Sequence, residues 1–197
     1  MLTHFTRATA AALLITASAV ASTAARADWA LDAGASRLSF ISTKNASKAE
    51  VHYFRELSGV VTEGGAARIE VPLDSVETAI PIRNERMREF LFETADFPSL
   101  EVSADVDPSL LAATGARIAA VPVTVSLHGQ EASYEAAMLV ARDGDGSLTV
   151  ATSEPIIVNA ADFELGAGIA KLQELAGLAS ISTAVPVSAR LVFRADD

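Results

Sequence analysis

The 197-residue chain contains no cysteine, and this absence excludes several kinds of site. Without thiols there can be no disulfide framework, no thiolate zinc site, no iron–sulfur cluster and no cysteine nucleophile. A domain of about 170 residues buries roughly 70% of the surface that its unfolded chain exposes, so its core can stabilise it without cross-links. The fold is therefore expected to depend on side-chain packing alone.

Positive charge is also scarce, since 15 Lys and Arg stand against 25 Asp and Glu, a net charge of −10. The first 27 residues hold Arg7 and Arg26 and no acid, so residues 28–197 carry 13 basic and 25 acidic side chains, a net charge of −12. This balance argues against a nucleic-acid partner and against binding to anionic membrane surfaces.

Long apolar runs are absent except near the N-terminus, where residues 8–22 are almost wholly Ala, Leu, Ile, Val, Ser and Thr. Arg7 precedes this run, and Ala25-Arg26-Ala27 supplies the small-x-small pattern that signal peptidase requires. We predict a signal peptide over residues 1–27, cleaved before Asp28, and export of a single domain, 28–197, to the periplasm. A membrane anchor or a core helix is disfavoured because charged residues follow at once with no stop-transfer pattern.

Local signatures of catalysis are missing as well. The sequence has no GxSxG elbow, no P-loop and no GxGxxG turn. The two histidines of the exported part, His52 and His128, lie outside HxxxH, HxH and HExxH contexts, and we interpret each as a surface or turn residue. These absences favour a protein that is not an enzyme and needs no metal or other cofactor.

Two acidic patterns offer alternatives. An EF-hand-like spacing of oxygen ligands is interrupted by Leu148 where the loop needs glycine, so a hairpin turn is preferred; its ligand positions are Asp143, Asp145, Ser147, Thr149 and Glu154. Paired carboxylates of the glycosidase kind remain a remote alternative, although no spacing selects a pair; the candidates are Asp74, Glu77, Asp96, Asp105 and Asp107.

Most of the exported part alternates between apolar and polar residues over short runs. Val, Ile, Thr and aromatic residues recur at period two, and turns such as Gly64-Gly65 and His128-Gly129 separate the runs. This pattern predicts an all-β antiparallel sandwich or barrel. Two segments instead have helical spacing and predict short helices over 84–92, with Asn84 as a candidate N-cap, and over 168–176, followed by Gly177 at C′.

Arginines are concentrated in the first of these helices, at Arg83, Arg86 and Arg88. Clustered guanidinium groups in an acidic protein can bind a polar or anionic headgroup at the mouth of a pocket. Ion pairing with neighbouring acids explains the same cluster and is the preferred interpretation; the acids are Glu85, Glu89, Glu93 and Asp96.

The segment 71–102, VPLDSVETAIPIRNERMREFLFETADFPSLEV, resembles the YceI-like family of periplasmic proteins. Ser75-Val76-Glu77-Thr78 matches that family's Ser-(Ile/Val)-(Asp/Glu)-Thr motif at the end of a strand. Arg83-Asn84 leads into the short helix, and Phe97-Pro98 precedes the next strand, as in the family. The opening and closing strands fit too, so the resemblance covers nearly all of 28–197.

The resemblance implies an extended lipocalin-like antiparallel β-barrel of about eight strands, with an apolar pore that holds a polyisoprenoid-type lipid. Binding, transport or storage of an isoprenoid quinone or a polyprenyl chain is then the expected function. Alternation and motif position predict the pore lining, namely Phe40, Phe54, Val71, Met87, Leu91, Val123, Val125, Met138 and Phe163. Arg83 and Arg86 are the candidates for contact with a headgroup.

The expected partner is thus an isoprenoid lipid, held by a monomer or a homodimer, with no nucleic acid involved. A second hypothesis has a different character: a non-enzymatic module with a filled, dry core docks a membrane redox or transport protein through its acidic surface. The two-carboxylate hydrolase is the third.

Overall fold

The structure is a computed structural model that describes residues 29–195, so the predicted leader and its cleavage site lie outside the described residues. Twelve strands make up most of it: β1 (Trp29–Leu31), β2 (Arg37–Lys44), β3 (Lys48–Phe54), β4 (Ser58–Val61), β5 (Ala66–Pro72), β6 (Val76–Glu77), β7 (Ser99–Asp105), β8 (Gly115–Leu127), β9 (Gln130–Arg142), β10 (Leu148–Thr152), β11 (Ile156–Asn159) and β12 (Ala184–Ala195).

The twelve strands form an eight-stranded closed antiparallel barrel because four pairs of them are halves of interrupted strands. Both β1 and β2 pair with the same edge of β12, and on their other side they pair with β4 and β3 respectively. Similarly, β10 and β11 both pair with the opposite edge of β12. On the far side of β4 and β3, β5 pairs with β4 and β6 pairs with β3. The pairing of β1 with both β4 and β12 closes the barrel. The predicted lipocalin-like fold is confirmed.

Alternation places one face of each strand inside the barrel. Along β9 the residues at even positions from 136 to 140 are buried, and along β8 the buried positions are 121, 123 and 127. The hairpin between them turns at His128 and Gly129, which both have positive φ (53° and 74°), as a two-residue hairpin turn requires. Period-two sequence patterns therefore translate directly into the inner and outer surfaces of the wall.

The two ends of the barrel differ. At the end formed by β1, Trp29 donates from Nε1 to the carbonyl of Gly146 at 3.0 Å, and α2 (Pro108–Ala112) buries Leu111. At the other end lie α1 (Pro81–Arg86), which continues as a π-helical turn (Met87–Leu91), and α3 (Gly166–Ala176). Short 3₁₀ turns (Leu73–Ser75 and Ala160–Phe163) join these elements to the barrel. We call the second end the helical end.

Both predicted helices exist, with different starts. The first begins at Pro81 rather than residue 84, because proline at the first helical position needs no N–H partner. The prediction of Asn84 as an N-cap was therefore wrong: Asn84 is buried inside the helix and accepts hydrogen bonds at Oδ1 from the Thr78 N–H (2.9 Å) and hydroxyl (2.5 Å). The second helix ends as predicted, with Gly177 in the left-handed region at φ 61°.

No helix within residues 29–195 is long and apolar enough to cross a membrane.

Candidate ligand-binding cavity

The barrel encloses a cavity of about 220 Å³ toward its helical end. One wall comes from β2, β11 and β12, which contribute Leu38, Phe40, Ile156, Val158, Val185, Val187, Ala189 and Leu191. The opposite wall comes from β5, β7, β8 and β9 and includes Ile69, Leu100, Val102, Val123, Val125, Leu127 and Met138. The helical end is covered by Leu91, Phe92, Leu165 and Ile169.

Apolar side chains line almost the whole cavity. Among the described residues that border it, Thr152 alone carries a polar side chain, and its hydroxyl accepts the backbone N–H of Ala189 at 3.2 Å. A water molecule needs roughly 10–15 Å³ of such space and two to four polar partners. The volume is therefore large enough for a ligand, but the lining offers water almost no hydrogen-bond partners. Such a cavity favours an apolar ligand over solvent.

A second cavity of about 80 Å³ adjoins the first, deeper in the barrel. Ile69, Val102, Val123, Met138 and Leu191 border both spaces. Met138 is the most adaptable side chain in this shared wall, because methionine is unbranched and has three rotatable bonds.

The helical end is covered by two helices that touch at their backbones. Gly168 of α3 lies so close to the π-helical turn that an added Cβ would meet Leu91 Cα at 2.9 Å and clash with the carbonyl of Phe90. Arg86 donates from Nη1 to the carbonyl of Leu175 near the C-terminus of α3, at 3.2 Å. The two helices are thus fastened to each other at both ends of α3, and they form a single cover.

A polar network lies at the same end, beside the cover. Arg83 donates to Glu50 Oε2 (2.7 Å) and to the carbonyl of Thr78 (2.6 Å), while Lys44 donates to the same Glu50 oxygen at 2.6 Å. The Lys44 ammonium and then the Arg83 guanidinium lower the pKa of Glu50 to about 2. Nε of Arg83 is buried and has no hydrogen-bond partner among the described residues.

His52 is fully enclosed next to this network. Only 2% of the residue is exposed, its Nε2 lies 2.8 Å from the Ser42 hydroxyl, and its ring meets the edge of Phe40 at 5.3 Å. Burial, assisted by the positive charge of Arg83, lowers its pKa to about 4. The interpretation of His52 as a surface residue was therefore wrong, because it shares the inward face of β3 with Phe54. His128 does lie in a turn, as expected.

The structure brings six of the nine predicted lining residues together at the cavity, and these are Phe40, Phe54, Leu91, Val123, Val125 and Met138. The remaining three are buried elsewhere in the core: Val71 and Phe163 are fully enclosed, and Met87 is 6% exposed. They pack against neighbours on all sides and leave no open surface to the cavity. Arg83 and Arg86 do not line the cavity either, since both are engaged as described.

Several lining residues were missed. Val185, Val187 and Ala189 alternate on β12, and Leu38 shares the face of Phe40, so period two alone was sufficient to find them. Leu165 and Ile169 are four residues apart, and their role could not be read from the sequence because it depends on how α3 covers the barrel.

The acidic candidates are placed apart from the cavity. Asp143 and Asp145 bind the hydroxyls of Thr149 (3.2 Å) and Ser147 (2.6 Å) in the hairpin turn between β9 and β10, and no metal-ligating group of three side chains occurs within 29–195. None of the five candidates for a carboxylate pair borders the cavity; four are exposed, and Glu77 is buried against Arg55, Asn84 and the Ala79 N–H.

The fold and the cavity define a lipocalin-like antiparallel barrel with an enclosed apolar interior. A model of the YceI-like domain matches residues 29–193, and the chain belongs to the YceI-like family. No curated protein matches the chain.

Solved structures agree with this assignment. A polyisoprenoid binding domain from Saccharophagus degradans, implicated in plant cell wall breakdown, is 38% identical, with a TM-score of 0.83 over 87% of this chain and 100% of that one. BcnA of Burkholderia cenocepacia is 16% identical, with a TM-score of 0.65 over 82% of this chain and 98% of its own. The YceI protein of Campylobacter jejuni is 14% identical, with a TM-score of 0.51 over 74% and 84%. The last two show the fold alone.

Proposed function

We propose that this protein binds a polyisoprenoid-type lipid, such as an isoprenoid quinone or a polyprenyl chain, inside the barrel and carries or stores it without catalysing a reaction. The observation that carries the proposal is the enclosed cavity of about 220 Å³ with an apolar lining. The relative at 38% identity, a polyisoprenoid binding domain, supports the same class of ligand.

The chemistry of the lining suits a hydrocarbon chain. An isoprenoid tail offers only CH groups, so its recognition needs shape and apolar contact rather than hydrogen bonds. Each buried CH₂ contributes about 0.8 kcal/mol before the cost of ordering the chain. The hydroxyl of Thr152 is already bonded to the wall and would not be left unpaired by such a guest.

The size of the cavity sets a condition on the proposal. The spaces of 220 and 80 Å³ together amount to about 300 Å³, the lower limit of the range of about 300–1,000 Å³ for pockets that hold small molecules. A long tail therefore needs both spaces, and Met138 must turn aside to join them. The end of the tail then occupies the deeper space, and the headgroup remains near the helical end.

The headgroup is proposed to lie beside Arg83. Of the two predicted arginines, Arg86 is engaged with α3, whereas the buried Nε–H of Arg83 has no partner among residues 29–195. Because Arg83 does not border the cavity, the side chains between them must move before this N–H donates to a carbonyl or hydroxyl oxygen of a quinone or polyprenyl alcohol. Arg83 then has both a structural contact, with Glu50, and a ligand contact.

Export to the periplasm is the second part of the proposal. The apolar run and the Ala-Arg-Ala site in the sequence support removal of residues 1–27. Mass spectrometry of protein from a periplasmic fraction is expected to give a chain that begins at Asp28. A mature mass that retains Met1 would contradict this part without affecting lipid binding.

Two alternatives fit the site less well. A dry, filled core would suit a pure docking module, but this barrel contains an apolar cavity of about 220 Å³. A two-carboxylate hydrolase would need acids at a substrate cleft, and the candidate acids do not border the cavity.

Organic extraction of the purified protein, followed by mass spectrometry, tests the lipid proposal. A polyprenyl species near one per chain is expected. Two adjacent residues of β12 provide a matched pair, because Val187 borders the cavity and Ser188 lies on the outer face of the same strand. Val187→Trp should lose the lipid and Ser188→Trp should keep it, with circular dichroism showing both folded. An empty extract from the wild type, together with no uptake of a polyprenyl quinone by stripped protein, would refute the proposal.

A further inference from the structure

The outer surface of the cavity wall has an unusual charge for this protein. Strands β2, β3, β11 and β12 point Leu38, Phe40 and Val187 inward, so the alternate residues face out. We call this outer surface the basic face; its outward side chains are Arg37, Ser39, Ile41, Val51, Tyr53, Ile157, Pro186, Ser188 and Arg190. Lys44 and Lys48 lie at its rim, on the side of the sheet that carries Phe40 and His52. A role for the basic face goes beyond the proposed function, because this face lies on the outside of the barrel.

Basic residues dominate this surface in a protein of net charge −10. The four strands contain Arg37, Lys44, Lys48, Arg190 and Arg194, and their single acid is Glu50. Glu50 is already bound by Lys44 and by Arg83. Two acids from neighbouring elements adjoin this surface: Asp32 is bound by Arg194, and Glu77, opposite Tyr53, is bound by Arg55. The acids on or beside the basic face are thus paired with bases of the protein, whereas Arg37 and Arg190 form no ion pair within the described residues.

Two arginines of the basic face lie directly opposite each other. Arg37 on β2 and Arg190 on β12 are register partners, both are exposed, and within residues 29–195 neither has a carboxylate in ion-pair distance. Arg37 instead lies 4.0 Å from the centroid of the Tyr53 ring. Like charges directly opposite on a sheet destabilise it, so this pair is better explained by an anion outside the protein than by folding.

Aliphatic side chains run across the same strands. Strand pairing places Ile157 beside Pro186 and Ile41 beside Val51. Pro186 comes one position before Val187, whose partner is Phe40. Val51 is 68% exposed and Ile157 is 56% exposed. Ile80 and Ile82, at the start of α1, are also exposed near this end of the barrel. Exposed aliphatic groups next to cations are the combination found on surfaces that bind lipid headgroups and the acyl boundary.

We propose that the basic face docks on an anionic lipid bilayer, even though the net charge of the whole chain argues against such binding. Arg37 and Arg190 supply attraction to headgroup phosphates, with the exposed Lys48 at the rim, and Val51 and Ile157 enter the boundary between headgroups and acyl chains. The acidic surfaces, on the rest of the barrel, orient the molecule by repulsion. One wall of the cavity then rests on the membrane, with the helical end next to the lipid.

Vesicle flotation tests this docking directly. The probes are vesicles of phosphatidylcholine alone and of phosphatidylcholine mixed with phosphatidylglycerol. Wild-type protein is expected to float only with the mixed vesicles, and added salt should release it, because screening weakens surface attraction. Since each cation near such a surface contributes about 1 kcal/mol, Arg190→Ala should lower the partition coefficient about fivefold and Arg37→Ala/Arg190→Ala about 25-fold.

Strand β8 supplies matched controls, because it lies on the other side of the barrel. Arg117 is exposed, and Ile118 is 68% exposed, the same fraction as Val51. Arg117→Ala and Ile118→Asp should leave flotation unchanged, whereas Val51→Asp should abolish it. Equal loss in both sets, flotation independent of phosphatidylglycerol, or no flotation of the wild type would overturn the proposal.

A protein partner is the competing occupant. If Val51→Asp instead dissolves a dimer seen by size-exclusion chromatography, and the wild type ignores vesicles, then the face belongs to a protein interface and the bilayer proposal fails. The lipid content of the purified variants separates this result from the proposed function, because docking variants should still carry their lipid.

Discussion

Filling the cavity should stabilise the empty protein and weaken its lipid binding, and Ala189 offers the cleanest position. Its methyl group borders the cavity from β12, and its backbone N–H is bonded to Thr152. Ala189→Leu adds three carbons that point into unoccupied apolar space. Burial of about 0.8 kcal/mol per carbon, reduced by about 0.5–1 kcal/mol of lost side-chain freedom, leaves about 1.5 kcal/mol of added stability.

The two states of the protein should respond in opposite directions. In protein stripped of lipid, the melting temperature of Ala189→Leu should rise by about 3–6 °C, since 1 kcal/mol corresponds to about 2–4 °C at this size. Lipid that competes for the same space loses about 2.4 kcal/mol of contact, which weakens its affinity about 50-fold. The extra stability that bound lipid gives the wild type is therefore reduced in the variant.

Differential scanning calorimetry of stripped and reloaded protein measures both effects. Ala120→Leu is the matched control, because Ala120 is exposed on β8, and it should change neither the melting temperature nor lipid uptake. A stripped Ala189→Leu protein that melts below the wild type would show that the space is not free. Unchanged lipid uptake by this variant would show that the ligand binds outside the cavity.

Three further predictions concern individual side chains. The pKa of His52 falls from 6.5 in the unfolded chain to about 4 in the fold, so between these pH values the unfolded chain binds one more proton than the folded protein. The free energy of unfolding should therefore drop by about 3 kcal/mol as the pH falls from 6.5 to 4. In urea titrations, His52→Gln should remove this dependence on pH. Glu77→Gln should lower the free energy of unfolding in urea by about 2 kcal/mol, since the Glu77 carboxylate is buried and bonded. Glu101→Gln, from an exposed ion pair, should lower it by no more than about 1 kcal/mol, and equal losses in the two variants would contradict this reasoning. Met138→Ala should join the two cavities, cost the stripped protein about 2–5 kcal/mol and shift the recovered lipids toward longer chains in mass spectrometry; an unchanged chain-length profile would show that Met138 is no barrier.

The barrel itself could be predicted because it depends on alternation, which is a local property of the sequence. Alternation was enough to predict that Phe40, Phe54, Val123 and Val125 face the interior, where they border the cavity; their contact with a ligand stays a prediction. The interruptions that divide eight strands into twelve were not predicted. Two of them coincide with prolines, since Pro155 lies between β10 and β11 and Pro72 ends β5, and proline has no N–H to donate to a neighbouring strand.

The site was less predictable where distant elements meet. Arg83 contacts Glu50, which is 33 positions away, and Arg86 contacts Leu175, which is 89 positions away. A local pattern in the sequence therefore predicts neither pair. His52 is different, because its alternation with Phe54 placed it on the inward face. We nevertheless predicted a surface or turn position for His52, because histidine is more often found there than in a core. Val71 shows the opposite error, since an inward position can belong to solid core as well as to a cavity wall.

The pairing of Trp29 with Ala195 has a practical consequence for handling the protein. Both ends of the described chain emerge side by side, at the end of the barrel away from α1 and α3. A tag, a surface linker or a fusion partner attached at either position would hold the molecule upright with its helical end facing solution. The same neighbouring ends could be joined by a short peptide and the chain reopened in a turn such as 143–146, which gives a circular permutant for single-molecule or sensor work.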